Sequence, residues 1–163
     1  MRMYDVGRQN PKAVWESNLE PSTGVVNHAR FSPDALYLAV ARSDDVVHVY
    51  DCRMIGRGVL HTFEHTSARR NSPGMDTYGV VDLQWLESRA RRLGLVTGGT
   101  DGELWNLLRM MQLDLLDLGC IRLWDVCKAS DDPANGVVIA QASSDIGHFS
   151  LGDVYKGEKA LVV

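Results

Sequence analysis

Short apolar runs broken by turn residues set the pattern of this chain. Val46-Val47-His48-Val49-Tyr50 is rich in β-branched and aromatic residues, and Leu36-Tyr37-Leu38-Ala39-Val40-Ala41 precedes it. Arg42-Ser43-Asp44-Asp45 joins the two, which predicts a hairpin across an Asp-bearing tight turn. Upstream, Val25-Val26-Asn27-His28-Ala29-Arg30-Phe31 ends at Ser32-Pro33-Asp34, a turn set by proline's fixed φ and the short Ser and Asp side chains. Downstream, Val59-Leu60-His61-Thr62-Phe63 reads as a fourth strand. Four strands joined in order by short turns predict an antiparallel meander.

The same order then recurs, and internal repetition outranks local reading. Val80-Val81-Asp82-Leu83-Gln84-Trp85 matches the first strand, Leu93-Gly94-Leu95-Val96-Thr97-Gly98-Gly99 the second, and Thr100-Asp101-Gly102 the turn. Ile121-Arg122-Leu123-Trp124-Asp125 matches the third strand and Val137-Val138-Ile139-Ala140 the fourth. A further copy starts at Gly147-His148-Phe149-Ser150, parallel to Ala29-Arg30-Phe31-Ser32, and reaches only Ala160-Leu161-Val162-Val163. At the other end, Met3-Tyr4-Asp5-Val6 reads as the end of a third strand and Ala13-Val14-Trp15-Glu16 as a fourth.

Leu123-Trp124-Asp125-Val126, Val49-Tyr50-Asp51 and Met3-Tyr4-Asp5 resemble the aromatic-Asp endings of WD repeats. Phe31-Ser32-Pro33-Asp34 and Thr97-Gly98-Gly99-Thr100-Asp101-Gly102 resemble two other parts of that repeat, so the likeness covers nearly the whole chain. It implies an all-β fold, part of a β-propeller built of four-stranded antiparallel blades about an axis. The blades would be the tail of one (residues 1–20), a complete one (24–65), one with insertions (77–142) and the start of another (146–163). The family's buried hydrogen-bonded tetrad carries over as His65, Thr97, Asp101 and Trp124. A buried carboxylate and a buried indole N–H need such partners. In the preceding repeat Val40 replaces the hydroxyl and Tyr50 the Trp, and only Asp44 fits, so that blade is expected to rest on apolar packing.

About three blades do not close a ring, since closed propellers have four to eight. An open blade face would leave on the order of 500 Å² of apolar surface wet, worth roughly 10 kcal/mol. That is comparable to the stability of a whole domain. The expectation is therefore a fragment, or a piece completed by further blades or another chain, and poorly folded alone.

Spacing locates an insertion. Asp44 to Tyr50 is six positions and Asp101 to Trp124 is 23, so 17 residues, Glu103 to Gly119, are extra. Three readings are open. The segment is a retained intron, because 17 codons keep frame and Gly102-Glu103 and Leu118-Gly119 allow splice-site codons. Or it is an amphipathic helix, with Leu104, Trp105, Leu107, Leu108, Met110 and Met111 forming an apolar face that docks a partner. Or it is a disordered or strand-forming insert, although it is very apolar for a solvated one.

A second insertion, Thr66 to Met75, is polar with Gly and Pro and predicts a loop. On a propeller it would decorate the same rim as Glu103 to Gly119, while the basic turn Glu87 to Arg92 would lie on the other. Arg69, Arg70, Arg89, Arg91, Arg92 and Trp105 are the candidate partner-contact residues against the alternative of plain solvated loops.

Composition narrows the classes. The chain has 163 residues, enough for one core, and carries 17 basic against 21 acidic residues, a net charge of −4. That disfavours direct nucleic-acid binding. No apolar run reaches the roughly 18 residues needed to span a bilayer, and the N-terminus lacks a signal-type apolar region. Three cysteines without zinc-type spacing read as reduced thiols, which with these features predicts a cytoplasmic or nuclear chain. No nucleophile elbow, HExxH or Walker-type loop is present, and the five histidines show no ligand spacing, although His48 and His61 lie on neighbouring strands. The resemblance implies a non-catalytic scaffold that binds other proteins and uses no metal or other cofactor. The alternatives are a small-molecule or enzymatic site in the central channel, and a truncated or mis-spliced product without its own function.

Overall fold

In the computed structural model, residues 2–4, 7, 12–16, 24–65, 78–87, 93–100, 119–132, 134–142, 146–152, 156 and 161–163 are described. Strands dominate them. β1 (Arg2–Tyr4) pairs antiparallel with β2 (Ala13–Glu16). β3 (Val26–Phe31), β4 (Tyr37–Arg42), β5 (Val46–Asp51) and β6 (His61–Glu64) form one antiparallel sheet in chain order. β7 (Val80–Glu87), β8 (Leu93–Thr100), β9 (Gly119–Asp125) and β10 (Val137–Ala142) form a second in the same order. A short 3₁₀ segment, Cys52–Arg57, bridges β5 and β6.

The turns follow from local chemistry. Asp34 Oδ1 accepts from the Ser32 hydroxyl and from the Leu36 N–H, and Tyr37 N–H donates back to Ser32 Oγ. This closes the β3–β4 turn around Ala35, which takes φ +57°. Asp51 caps the 3₁₀ segment through the Arg53 N–H, and its carboxylate also holds the Arg53 guanidinium at 2.7 Å.

The two sheets stack face to face, each turning one set of alternate residues toward the other. Ala39, Ala41, Val47, Val49 and Phe63 from the first meet Val80, Leu83, Leu95, Trp124 and Val126 from the second. The Phe63 and Trp124 rings stack with centroids 4.8 Å apart. Each sheet also buries its other face. Leu38, Val40 and Tyr50 form a cluster on the first sheet with Cys52 and Ile55 against it. On the second, Val96 and Ile121 pack against Ile146 and Phe149 of the C-terminal segment, whose Ser150 and Val162 make an antiparallel bridge.

Two glycines permit these approaches. Gly79, at φ +65°, lies against the Ser43 backbone, where an added Cβ would collide. A Cβ on Gly98 would sit 2.9 Å from the Phe149 ring and push the C-terminal segment off its sheet.

Several expectations shift in detail. Gly119, counted with the insertion, is the first residue of β9, because the ladder continues to the pair Thr100↔Gly119. The hairpin is thus registered up to both ends of residues 101–118, which lie outside the described residues. The fourth strand of the first sheet begins at His61, since Val59 and Leu60 are exposed and serve the return from the 3₁₀ segment. Tyr50 and Trp124 occupy the third strand of their respective sheets, at equivalent register positions opposite Leu38 and Leu95.

Phe63 is fully buried between the sheets and touches aromatic rings on both sides. Phe63→Ala is expected to lower unfolding free energy by about 3–5 kcal/mol in a denaturant titration. Val137→Ala on the exposed edge should stay within about 0.5 kcal/mol of the parent.

Candidate functional site

Two buried polar networks hold the stack together. In the first, the Trp124 indole N–H donates to Thr97 Oγ1 at 2.8 Å, and His65 Nε2 lies 2.7 Å from the same oxygen. The Thr97 hydroxyl accepts from the indole and keeps its own proton for Nε2, which leaves the His65 Nδ1–H facing Cys120 Sγ at 3.7 Å. His65, Thr97 and Trp124, matched on sequence alone, therefore converge. Asp101, the fourth matched residue, lies outside the described residues. In the first sheet Val40 and Tyr50 are buried among apolar side chains, as their residue types demand. Asp44 instead accepts from the buried Arg42 guanidinium at 2.9 Å, and Arg42 also reaches His48 Nδ1 at 3.4 Å.

The second network is centred on Asp82. Its Oδ1 accepts from His28 Nδ1 at 2.7 Å and from the Leu83 N–H at 2.8 Å. Its Oδ2 accepts from His148 Nδ1 at 2.7 Å and from the Phe149 N–H at 3.2 Å. His28 comes from β3, Asp82 from β7 and His148 from the C-terminal segment, so one carboxylate ties three successive units. Gln84 adds a second tie, donating to the Phe149 carbonyl and accepting from the Leu151 N–H. At the other junction Asn27 donates to the carbonyls of Tyr78 and Val80. Throughout, polar side chains on the first strand of one unit bond the backbone of the next.

The Asp82 cluster had no local sequence signal, since His148 lies 66 positions beyond it. The one available hint was the repeat itself, which sets Asp82 at the register position of His28: they face Gly98 and Ala41, equivalent residues of the second strands. Its chemistry is that of fixed imidazoles. Both rings donate through Nδ1, with the His28 side chain 31% and that of His148 76% exposed. Among the described residues, no three His, Cys, Asp or Glu side chains are grouped to hold a metal ion.

His48 and His61, neighbours by strand order, do not meet. The register pairs His48 with Thr62 and His61 with Val49, so the two rings lie on opposite faces of the sheet. His48 packs edge-on against Tyr50, and His61 stacks on Phe63. Of the aromatic-Asp endings, Tyr50 and Trp124 are buried and Tyr4 is 47% exposed on β1. Asp51 caps its turn, and Asp125 Oδ1 accepts from the Cys127 N–H. Asp5, Arg69, Arg70, Arg89, Arg91, Arg92 and Trp105 lie outside the described residues. No described helix is long and apolar enough to cross a membrane.

Comparison of the chain with protein-family models, with curated proteins and with solved structures finds no match.

The networks make three checks possible. Thr97→Val keeps shape but strands the buried indole N–H and removes the partner of His65 Nε2, and should cost about 1–3 kcal/mol in chemical unfolding. Asp82→Asn keeps size but can no longer accept all four donors; it should cost a similar amount, about 1–3 kcal/mol, and raise backbone amide exchange at Phe149. Burial pulls the His48 and His61 imidazoles below their ordinary pKa of 6.5, with the Arg42 charge adding to the effect at His48. Their neutral forms are preferred in the fold, so the stability they contribute is complete above pH 6.5 and falls as the pH drops below it. A melting midpoint that declines from pH 7.5 to 5.5, and declines less in the His48→Gln, His61→Gln double variant, is the expected result.

Proposed function

We propose that this chain is part of a WD-repeat-type β-propeller that serves as a non-catalytic scaffold for protein partners. The observation that carries this reading is the stacking of two consecutive four-stranded meanders, with Tyr50 and Trp124 on equivalent third strands. A strand pair precedes them and a bridged segment follows them. The tying of first strands by Asn27, Asp82 and Gln84 supports successive units held in one repeated arrangement. The net charge of −4 favours protein partners over nucleic acid. In this reading the loops Thr66 to Met75 and Glu103 to Leu118 form the contact rim, with Arg69, Arg70 and Trp105 as anchors, and the setting is cytoplasmic or nuclear.

The register across residues 101–118 supports treating that segment as additional to a complete hairpin. A variant lacking Glu103 to Leu118 and Thr66 to Met75 is expected to melt at the same temperature as the parent or higher. In affinity capture from matched lysate it should lose partners that the parent retains. An unchanged partner set would remove the rim from the account.

A second reading, a small-molecule or enzymatic site on the inner side, is favoured by one observation: His28 and His148 are both oriented by the buried Asp82. His28→Gln with His148→Gln separates the two. Partner capture is unchanged if the rim is the working surface, and cellular function is lost with partners retained if the inner side is.

A further inference from the structure

The outermost strands of a sheet leave a row of backbone N–H and C=O groups outside the ladder. Such an edge pairs with another chain unless charge, proline, shortness or a covering segment guards it. The outermost strands of the two four-stranded sheets are β3, β6, β7 and β10. Three of them are guarded. β3 carries Arg30 and is tied to the second sheet by Asn27 and by the Trp85 indole. β6 has four residues and ends on Glu64. β7 carries Asp82 and Glu87, and Asp82 and Gln84 fasten it to the C-terminal segment.

β10 differs from all three. Its six residues, Val137-Val138-Ile139-Ala140-Gln141-Ala142, include no charge, proline or glycine, and no formal charge occurs between Asp132 and Asp145. Val137, Val138 and Ile139 are β-branched, the type that favours strands most. Val137 is 57% and Ile139 43% exposed. A bulge interrupts the inner ladder: Val138 pairs with Arg122 and Ala140 with Ile121, which leaves Ile139 without a partner in β9. A bulge can guard an edge by twisting it, but the extra residue here is an exposed isoleucine rather than a charge.

We propose that β10 pairs antiparallel with β10 of a second copy of this chain, about a two-fold axis perpendicular to the sheet. Two four-stranded sheets then continue into one of eight strands. Charge selects this contact: each copy carries a net charge of −4, and β10 is the one sheet edge that brings no charged residue of its own to the contact. Shape agrees with it. Antiparallel pairing centred on the strand sets Val137 to Ile139 of one copy against Ala140 to Ala142 of the other, so large side chains lie beside small ones. The two-fold relation uses both edges at once, so association stops at two chains. The pairing is independent of the propeller reading.

Light scattering of the full chain over a concentration series tests it, with amide hydrogen exchange read at the two ends of the series. A species of twice the chain mass is expected, in which the amides of Val138 to Ala142 exchange more slowly than in the dilute chain. Ile139→Lys sets like charges against each other across the two-fold axis and should weaken association at least about tenfold, with an unchanged circular dichroism spectrum. Val59→Lys places the same charge on an apolar residue of matching exposure, 41%, away from β10, and should associate as the parent does. A parent of single-chain mass throughout overturns the proposal, including one that instead captures a strand from another protein. So does a dimer that Ile139→Lys retains, that Val59→Lys loses equally, or that leaves β10 exchange unchanged.

Discussion

Both four-stranded sheets bury apolar residues on both faces, and that one constraint organises the rest. A sheet with one wet face alternates apolar and polar residues; β4 and β5 do not, and nearly every residue from Leu38 to Arg42 and from Val46 to Asp51 is buried. Such a sheet is stable only between two neighbours. The first turns one face to the second sheet and buries Leu38, Val40 and Tyr50 on the other, with Cys52 and Ile55 against them, and the second lies between the first and the C-terminal segment. The need is transmitted outward: each unit added to satisfy one face presents a new face of its own.

Apolar burial is non-directional and does not fix how one sheet sits on the next. The polar ties do. His65, which follows the last strand of the first sheet, is bonded to Thr97 at the centre of the second, so the chain itself crosses the junction at a defined depth. Asp82 fixes three units at one point through four accepted hydrogen bonds. Leaving any of these groups without partners in the interior is costly, and that cost makes one stacking geometry unique among the many that would bury equal area.

Much of this fold was legible in the residues. Runs such as Val46–Tyr50 specify strands by β-branching, turns such as Ser32-Pro33-Asp34 carry their own side-chain acceptors, and recurrence of the same order exposes the two meanders. The Thr97–Trp124 bond was legible only through the resemblance to WD repeats, since the preceding copy has Val40 and Tyr50 in those places. The Asp82 joint was not: its partners come from different units, and the repeat shows only that Asp82 and His28 hold equivalent places, not that they meet. Arg42 was also hidden, because an Arg next to a turn reads as solvated, whereas here its guanidinium is buried against Asp44 and His48. The opposite facing of His48 and His61 follows from strand register, which a strand list does not fix.

The stacking itself is most directly tested by a double-mutant cycle across the junction, on Phe63→Ala and Trp124→Leu, read as unfolding free energies. Rings stacked at 4.8 Å from adjacent sheets predict a coupling of about 0.5–1.5 kcal/mol. Costs that add to within about 0.3 kcal/mol would mean that the two rings do not touch, and the sheets do not face each other as described.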